Sequence, residues 1–186
     1  MDAADDDLGF EQAATLRDGR TVAIRLMRPD DKPRLVEAFS KLDRQSIYTR
    51  FFSYRKELPQ GPLERIDRID LVRLAALVVT LGEGGAQIVI GSASYVAQTA
   101  DDGVREAEVA FTIEEDFQRQ GLAGRLLAAL AGIARRHGIT RFKAEVLAAN
   151  AAMLGVFKRC GLPMQSRRNG EVVELTLDLG GVAGPA

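Results

Sequence analysis

The sequence predicts an α/β domain of the α+β kind, with a mixed, mostly antiparallel central sheet of six to seven strands and about four helices. Three patterns indicate this fold class. A β-branched strand precedes several helical segments, three strands follow one another through glycine turns, and a glycine-rich loop opens a long amphipathic helix. Short turns join antiparallel neighbours, whereas a helix between two strands allows a parallel pair, so we expect both pairings in one sheet.

Composition and charge are those of one globular domain. The chain has 186 residues, of which 46% are hydrophobic and 27% are charged, and this length can bury a core without disulfides or metals. We expect the domain at 15–179, between disordered tails at 1–14 and 180–186. The 25 basic and 26 acidic residues nearly cancel, which offers no electrostatic footprint for a nucleic-acid partner.

Several residue types exclude other classes of site. One histidine and one cysteine exclude a His/Cys zinc site and an internal disulfide, so no metal is expected. The acidic start, Met1–Asp7, is unlike a secretory signal, and the longest apolar run, Leu126–Ala134, is too short to cross a bilayer. We therefore expect a cytoplasmic monomer or homodimer with no membrane partner. We interpret His137, beside Gly138, as a helix cap and Cys160 as part of the core.

The first half of the chain is predicted as one strand followed by three helices. Thr21–Leu26 alternates and begins with β-branched residues, which is typical of a strand. Pro29 and two aspartates then favour a helix start. The apolar stripe of that helix comprises Leu35, Val36, Phe39 and Leu42. A second short helix is expected at Gln45–Arg50 and a third after Pro62.

The second half supplies the other strands and the long helix. Glycine turns at 82–85 and 101–103 predict two hairpins. The strands that they join are Ala75–Thr80, Ile88–Val96 and Glu106–Ile113. The long helix extends from Gly121 to Gly138. Its buried face comprises Leu122, Leu126, Leu130 and Ile133. The remaining elements are a strand at Arg141–Leu147, a helix at Asn150–Arg159, and strands at Met164–Arg168 and Val172–Leu177 that Asn169-Gly170 turns.

The loop at 118–125 is the most informative stretch. It follows the strand segment Val109–Ile113 and opens the long helix, so its backbone N–H groups lie at the positive end of the helix dipole, where a phosphate or pyrophosphate binds readily. Gly121 and Ala123 are small enough to let an anion reach those amides. A P-loop would need a Lys-Ser/Thr pair, and a dinucleotide fingerprint would belong to the first βα unit. The alternative is a glycine turn that merely begins a helix.

Two sequence blocks then carry a resemblance to a known family. The run Gln118-Arg119-Gln120-Gly121-Leu122-Ala123, after the fourth predicted strand, resembles the Gln/Arg-x-x-Gly-x-Gly/Ala motif of the GNAT superfamily of acyl-CoA-dependent N-acyltransferases. The block at 150–162 is similar to that family's helix, which begins with asparagine. Other segments resemble the GNAT domain of bacterial protein-lysine acetyltransferases, namely 16–20, 24–25 with 28–31, 50–52 and 138–142.

The resemblance implies a GNAT fold whose sheet splays between predicted strands four and five, with acetyl-CoA bound in that gap. The strand backbone at Phe111, Thr112 and Ile113 would pair with the pantetheine amides. Asn150 would hydrogen-bond the pantetheine arm, and Phe157 would pack near the thioester sulfur. The pyrophosphate would lie on the loop formed by Gln118, Arg119, Gln120, Gly121, Leu122, Ala123, Gly124 and Arg125, with the arginines as possible side-chain partners.

Acetyl transfer to an amine also requires a base. A lysine amine, with a pKa of about 10.4, must lose a proton before it attacks. We predict Glu108 as that base, because alternation places it on the same strand face as Ala110 and because the resembling enzymes use a glutamate at this place. The alternative is a strand-edge glutamate paired with a neighbouring arginine. Weaker candidates are Glu106, Glu114, Glu115 and Asp116.

One residue departs from the family pattern. Many GNAT enzymes have a tyrosine at the position of Phe157 to protonate the leaving thiolate, and phenylalanine cannot donate a proton. A thiolate with a pKa of about 8.5 is still a tolerable leaving group. Three hypotheses therefore remain open: acetylation of a protein lysine, acetylation of a small amine, and a non-catalytic module that senses acyl-CoA.

Overall fold

One continuous sheet organises the molecule. A computed structural model describes residues 7–51, 55 and 57–180. Its eight strands are β1 (Glu11–Thr15), β2 (Thr21–Leu26), β3 (Leu74–Leu81), β4 (Ile88–Thr99), β5 (Arg105–Ile113), β6 (Arg141–Leu147), β7 (Met164–Asn169) and β8 (Val172–Asp178). Their spatial order is β1-β2-β3-β4-β5-β6-β8-β7. Every neighbouring pair is antiparallel except β5 and β6, which are parallel, so the predicted mixed sheet is confirmed.

Five helices accompany the sheet in the described part of the chain. They are α1 (Lys32–Lys41), α2 (Arg44–Phe51), α3 (Gln60–Arg65), α4 (Leu122–Arg136) and α5 (Ala151–Arg159). The three short helices between β2 and β3 are those that the sequence predicts, with bounds that differ by a few residues. Helices α1 and α2 contact β4 and β5, whereas α4 contacts β3, β4 and β5. Helix α5 packs beside α4.

Helix α4 forms the centre of the hydrophobic core. Its apolar residues recur at helical spacing, and the four that the sequence predicts to be buried have at most 1% of their surface exposed. Gly121 precedes the helix with a φ of 85°, a left-handed conformation that glycine adopts without steric strain. His137 follows the last helical residue, as the interpretation of a cap expects. The prediction of this helix is therefore confirmed at both ends.

The strand count differs from the prediction at the N-terminus. Strand β1 begins at Glu11, inside the stretch 1–14 that the sequence analysis assigns to a disordered tail, and it pairs with β2. That expectation is therefore wrong for residues 11–14, while residues 1–6 lie outside the described part. Only Ala14 of this edge strand is buried, so the sequence carries little alternation to reveal it. The predicted tail at 180–186 also lies outside the described residues, apart from Gly180.

Candidate functional site

The sheet opens at the pair β5–β6. These strands are paired only from Glu106 to Glu108, opposite Arg141 to Lys143. Beyond Glu108, strand β5 keeps its partner β4 on one side, but its other edge, Val109–Ile113, has no strand partner among the described residues. Unpaired backbone N–H and C=O groups along this edge can bond an extended chain as an added strand would. The predicted splay between these two strands is confirmed.

The glycine loop lies at the end of this gap. The N–H groups of residues 121–124 have no acceptor among the described residues, since the first bond of the helix runs from the Arg125 N–H to the Gly121 carbonyl, at 3.2 Å. Arg119 has a φ of 60°, which is unusual for a residue other than glycine. A side-chain carbon added at Gly121 would meet no atom within 4 Å. These amides therefore face open space at the positive end of α4, where a pyrophosphate fits.

The start and middle of α5 form the opposite wall of the gap. The Asn150 side-chain oxygen accepts a hydrogen bond from the Met153 N–H at 3.1 Å, so Asn150 caps α5. This bond leaves the amide nitrogen of Asn150 free to donate to a ligand. Phe157 is buried, and its ring lies edge-on to the ring of Phe111, with centroids 5.9 Å apart. Helix α5 thus holds an asparagine amide and an apolar surface against the open edge of β5.

These elements enclose a cleft of about 580 Å³, within the range of pockets that bind cofactors. Most residues that the sequence assigns to the site line it: Glu108, Phe111, Thr112, Ile113, Gln118, Arg119, Gly121, Leu122, Ala123, Gly124, Asn150 and Phe157. The unpaired amides, the open strand edge and the asparagine amide fit the pyrophosphate and pantetheine of coenzyme A.

Two predicted residues do not line the cleft. The side-chain oxygen of Gln120 accepts a hydrogen bond from the Arg17 N–H at 3.0 Å, and an Arg125 guanidinium nitrogen lies 3.5 Å from the Thr15 carbonyl. Both side chains therefore contact the end of β1 or the turn that follows it rather than the open gap. They attach the loop to the edge of the sheet and so stabilise the conformation of the loop from the side away from the gap.

Glu108 and Glu106 occupy different environments on β5. Glu106 is buried, with Lys143 at 3.0 Å, Arg141 at 3.3 Å and Gln98 at 3.1 Å. Burial raises the pKa of Glu106, but these three partners outweigh it and leave the pKa below its usual value, which suits a structural anion rather than a base. Glu108 is exposed in the cleft and has no hydrogen-bond or ion-pair partner among the described residues.

The other candidate acids lie away from the cleft lining. Burial, Asp116 and Glu115 together raise the pKa of Glu114, but no residue of this turn lines the cleft. The Glu115 carboxylate accepts a hydrogen bond from the Asp43 N–H at 3.1 Å, which ties the turn to the start of α2. Cys160 is half-buried and packs against the core, as interpreted from the sequence.

The contribution of α2 to the cleft was not predicted from the sequence. Ser46 and Arg50 lie one helical turn apart on this helix, and both line the cleft. Arg17, in the turn between β1 and β2, and Glu145, on β6, line it as well. Arg17 and Arg50 belong to two of the family-like segments, so the signal was present. Their role depends on how a turn and a short helix pack against the sheet, which no local pattern encodes.

Within residues 7–51, 55 and 57–180, no group of three or more His, Cys, Asp or Glu residues is placed to hold a metal ion. No helix in the same part of the chain is long and apolar enough to cross a bilayer.

Comparisons with known proteins agree with this geometry. Residues 43–162 match the profile of the family described as acetyltransferase (GNAT). An acetyltransferase of Pseudomonas aeruginosa is 32% identical over 145 residues, which is 78% of this chain and 76% of the relative. The acetyltransferase Pat of Mycolicibacterium smegmatis is 32% identical over 146 residues, which is 78% of this chain but only 42% of Pat.

A solved structure is also similar. The crystal structure of the GNAT domain of PAT from S. lividans superposes with a TM-score of 0.79 at 34% identity, over 90% of this chain and 96% of that chain. The similarity therefore extends over nearly all of both domains.

Proposed function

Because this chain belongs to the GNAT family of acetyltransferases, we propose that it transfers the acetyl group of acetyl-CoA to the side-chain amine of a protein lysine, with Glu108 as general base. The observation that carries the proposal is the exposure of the Glu108 carboxylate and its lack of an ion-pair partner among the described residues. This carboxylate lies in the cleft where the β5–β6 ladder ends. An arginine-paired glutamate, the alternative interpretation, would have such a partner.

The proton and the acetyl group then move in one balanced sequence. The Glu108 carboxylate takes a proton from the lysine ammonium, directly or through a water molecule. The neutral amine attacks the thioester carbonyl carbon, the C–N bond forms, and the C–S bond breaks. The attacking nitrogen gives up its second proton to water, and the coenzyme A thiolate leaves and takes a proton from water, since the buried ring of Phe157 has none to give. Glu108 then releases its proton to the solvent. The amides of 121–124 and the edge of β5 hold the coenzyme during these steps.

A lysine acceptor is supported by sequence, because several segments of the chain resemble the GNAT domain of bacterial protein-lysine acetyltransferases. A cytoplasmic location belongs to the same proposal, because that compartment supplies acetyl-CoA and keeps Cys160 reduced.

Glu108→Gln tests the base. We expect kcat for acetylation of a lysine substrate, such as a purified acyl-CoA synthetase, to fall by about 10²–10⁴-fold, while acetyl-CoA affinity stays within a few-fold, because the amide keeps the shape but accepts no proton. Glu145→Gln, in the same cleft on the other strand, is the matched control and should keep most activity. Full activity of Glu108→Gln would remove the assignment.

Phe157 supports one alternative, an acyl-CoA sensor without catalysis. The same assay distinguishes it, because a sensor would bind acetyl-CoA tightly in calorimetry and yet acetylate neither the synthetase nor any member of a panel of small amines. Turnover of small amines alone would instead assign the site to small-molecule acetylation.

A further inference from the structure

A second cavity adjoins the coenzyme cleft on the face of the sheet that carries α1, α2 and α3. We call it the side cavity; its volume is about 110 Å³. Arg50, Ala110 and Thr112 line both the side cavity and the cleft. Glu108 lies on the same face of β5 as Ala110 and Thr112, because side chains alternate along a strand. The side cavity therefore meets the cleft beside the proposed base.

The lining of the side cavity combines apolar surface with positive charge. Apolar side chains from α1, α3, the turn after α3, β3 and β4 form most of it, and Ser92, Ser94 and Thr112 add hydroxyl groups. Its charged groups are the guanidinium groups of Arg50 and Arg65. None of the described residues that line it is acidic. Such a surface complements an aliphatic chain that carries a negative charge.

Arg50 has no hydrogen-bonded or ion-paired anion among the described residues. Its guanidinium is half-buried and forms no hydrogen bond or ion pair with any residue in the described ranges; the Phe51 ring lies 4.9 Å from it, centroid to Cζ. The adjoining segment 52–56 contains no carboxylate in the sequence. Burial lowers the pKa of Arg50, the charge of Glu108 opposes this, and the charge of Arg65 adds to it. Glu108 acts on Arg50 through its charge alone, without a hydrogen bond or an ion pair, so a bound carboxylate would give this partly desolvated cation a direct partner.

We propose that the side cavity binds a short aliphatic chain ending in a carboxylate, which Arg50 holds beside the reacting atoms. This inference rests on the acyl transfer proposed above. The carboxylate arrives with one of the two substrates, either as the distal end of a dicarboxylic acyl-CoA such as succinyl-CoA, or as the carboxylate of an amino-acid acceptor. In both cases the C–N bond forms and the C–S bond breaks as for acetyl, and the bound carboxylate is unchanged. Inside the side cavity itself, in contrast, Arg50 and Arg65 disfavour the ammonium of a lysine.

Two kinetic arms distinguish the sources of the carboxylate. In the donor arm, the acceptor is a lysine peptide that has no carboxylate. The values of kcat/KM are compared between succinyl-CoA and butyryl-CoA, whose acyl chains have the same length. In the acceptor arm, acetyl-CoA is the donor, and kcat/KM is compared between leucine and leucinamide. We expect the carboxylate-bearing partner to be preferred at least tenfold in one arm, and Arg50→Gln to abolish that preference, because a site built to bind a charged group discriminates against its neutral analogue. Arg68→Gln, outside both cavities, is the matched control and should retain it.

The ratio of the kcat/KM values of two substrates does not depend on how much of the protein is folded. A preference in the donor arm or in the acceptor arm, lost in Arg50→Gln, supports the inference and names the source. Measurable acetyl transfer without a preference in either arm overturns it and leaves the proposed function standing. If no transfer occurs with any substrate, the proposed function fails. Calorimetry with coenzyme A thioethers ending in a carboxylate or a methyl group, and with leucine and leucinamide, then decides. Equal affinities within both pairs overturn the inference, and a preference within either pair that is lost in Arg50→Gln supports it.

Discussion

Asp31 shows how one buried carboxylate fixes the start of a helix. Both of its oxygens accept hydrogen bonds from the Arg25 guanidinium at 2.7 Å, and one also accepts the Arg28 N–H at 2.8 Å. The side chains of Arg25 and Asp31 are 6% and 1% exposed. The pair joins the end of β2 to the turn before α1 and lies in family-like segments of the sequence. Removing one partner of such a pair leaves the other charge buried alone.

We expect Asp31→Asn to lower the free energy of unfolding by about 3–5 kcal/mol, because Arg25 loses its counter-ion. Burial raises the pKa of Asp31, but the hydrogen bonds from Arg25 and Arg28 outweigh it and lower the pKa overall. The wild-type advantage is therefore present above the unfolded pKa of about 3.9 and disappears as the pH falls through the lower folded value. Urea unfolding at several pH values measures this.

The exposed neighbour Asp30 supplies the control for that experiment, and Asp30→Asn should change stability by less than about 0.5 kcal/mol. The double variant Arg25→Met with Asp31→Leu should be less destabilised than Asp31→Asn, because apolar replacement removes both buried charges. If the double variant and Asp31→Asn lost the same free energy of unfolding, the loss would arise from altered packing and not from an unpaired buried charge.

The buried Glu106 stabilises the short β5–β6 ladder after which the cleft opens. It bridges β5 to β6 through Lys143 and Arg141, and to β4 through Gln98. We expect Glu106→Gln to lower the free energy of unfolding by about 1–3 kcal/mol, because Lys143 and Arg141 lose a shared anion. Amide hydrogen exchange at 106–108 and 141–143 should quicken more than exchange elsewhere in the sheet.

Glu145→Gln is the matched control for this ladder. Glu145 lies on β6, two residues after Lys143, but it is exposed and has no ion-pair partner in the part of the chain that the structure describes. Unchanged exchange in Glu106→Gln would show that the backbone ladder alone holds β5 and β6 together.

An element can be predicted from the sequence when the residues that determine it lie close together in the chain. Helix α4 and its loop are predictable because glycines and a periodic leucine face lie within one stretch of chain. Strand β1 was not predicted because only Ala14 is buried, so its residues show little hydrophobic alternation. The strand is stabilised by its pairing with β2. Glu108 could be placed by alternation along β5. Arg50 could not, because its position depends on the packing of α2, whose helical pattern is only weakly amphipathic.

The cleft joins parts of the fold that are distant in the sequence. The edge of β5, the loop before α4 and the middle of α5 all line it, together with α2 from the opposite face of the sheet. A ligand that contacts all of these elements binds the folded chain and not the unfolded one, so it stabilises the fold as a unit. Cofactor binding should therefore appear as a shift in thermal unfolding.

We expect acetyl-CoA at about 100 times its Kd to stabilise the wild-type protein by about 2.7 kcal/mol, which corresponds to a rise in Tm of about 5–10 °C for a domain of this size. Gly121→Val should lose most of that rise, because a β-branched residue resists the φ of 85° and its side chain would stand before the amides of 121–124. The same protein without ligand should also melt somewhat earlier, so only the difference between melts with and without acetyl-CoA is diagnostic.

Gly132 of α4 provides a control in the same helix. An added side-chain carbon there would make only ordinary contact, at 3.5 Å from an Arg136 guanidinium nitrogen, and alanine favours a helix interior over glycine by about 0.5–1 kcal/mol. Gly132→Ala should therefore keep the full rise in Tm with acetyl-CoA. If Gly121→Val kept the rise as well, the coenzyme would not depend on the loop amides, and the cleft between β5 and β6 would have to hold it by the strand edge and α5 alone.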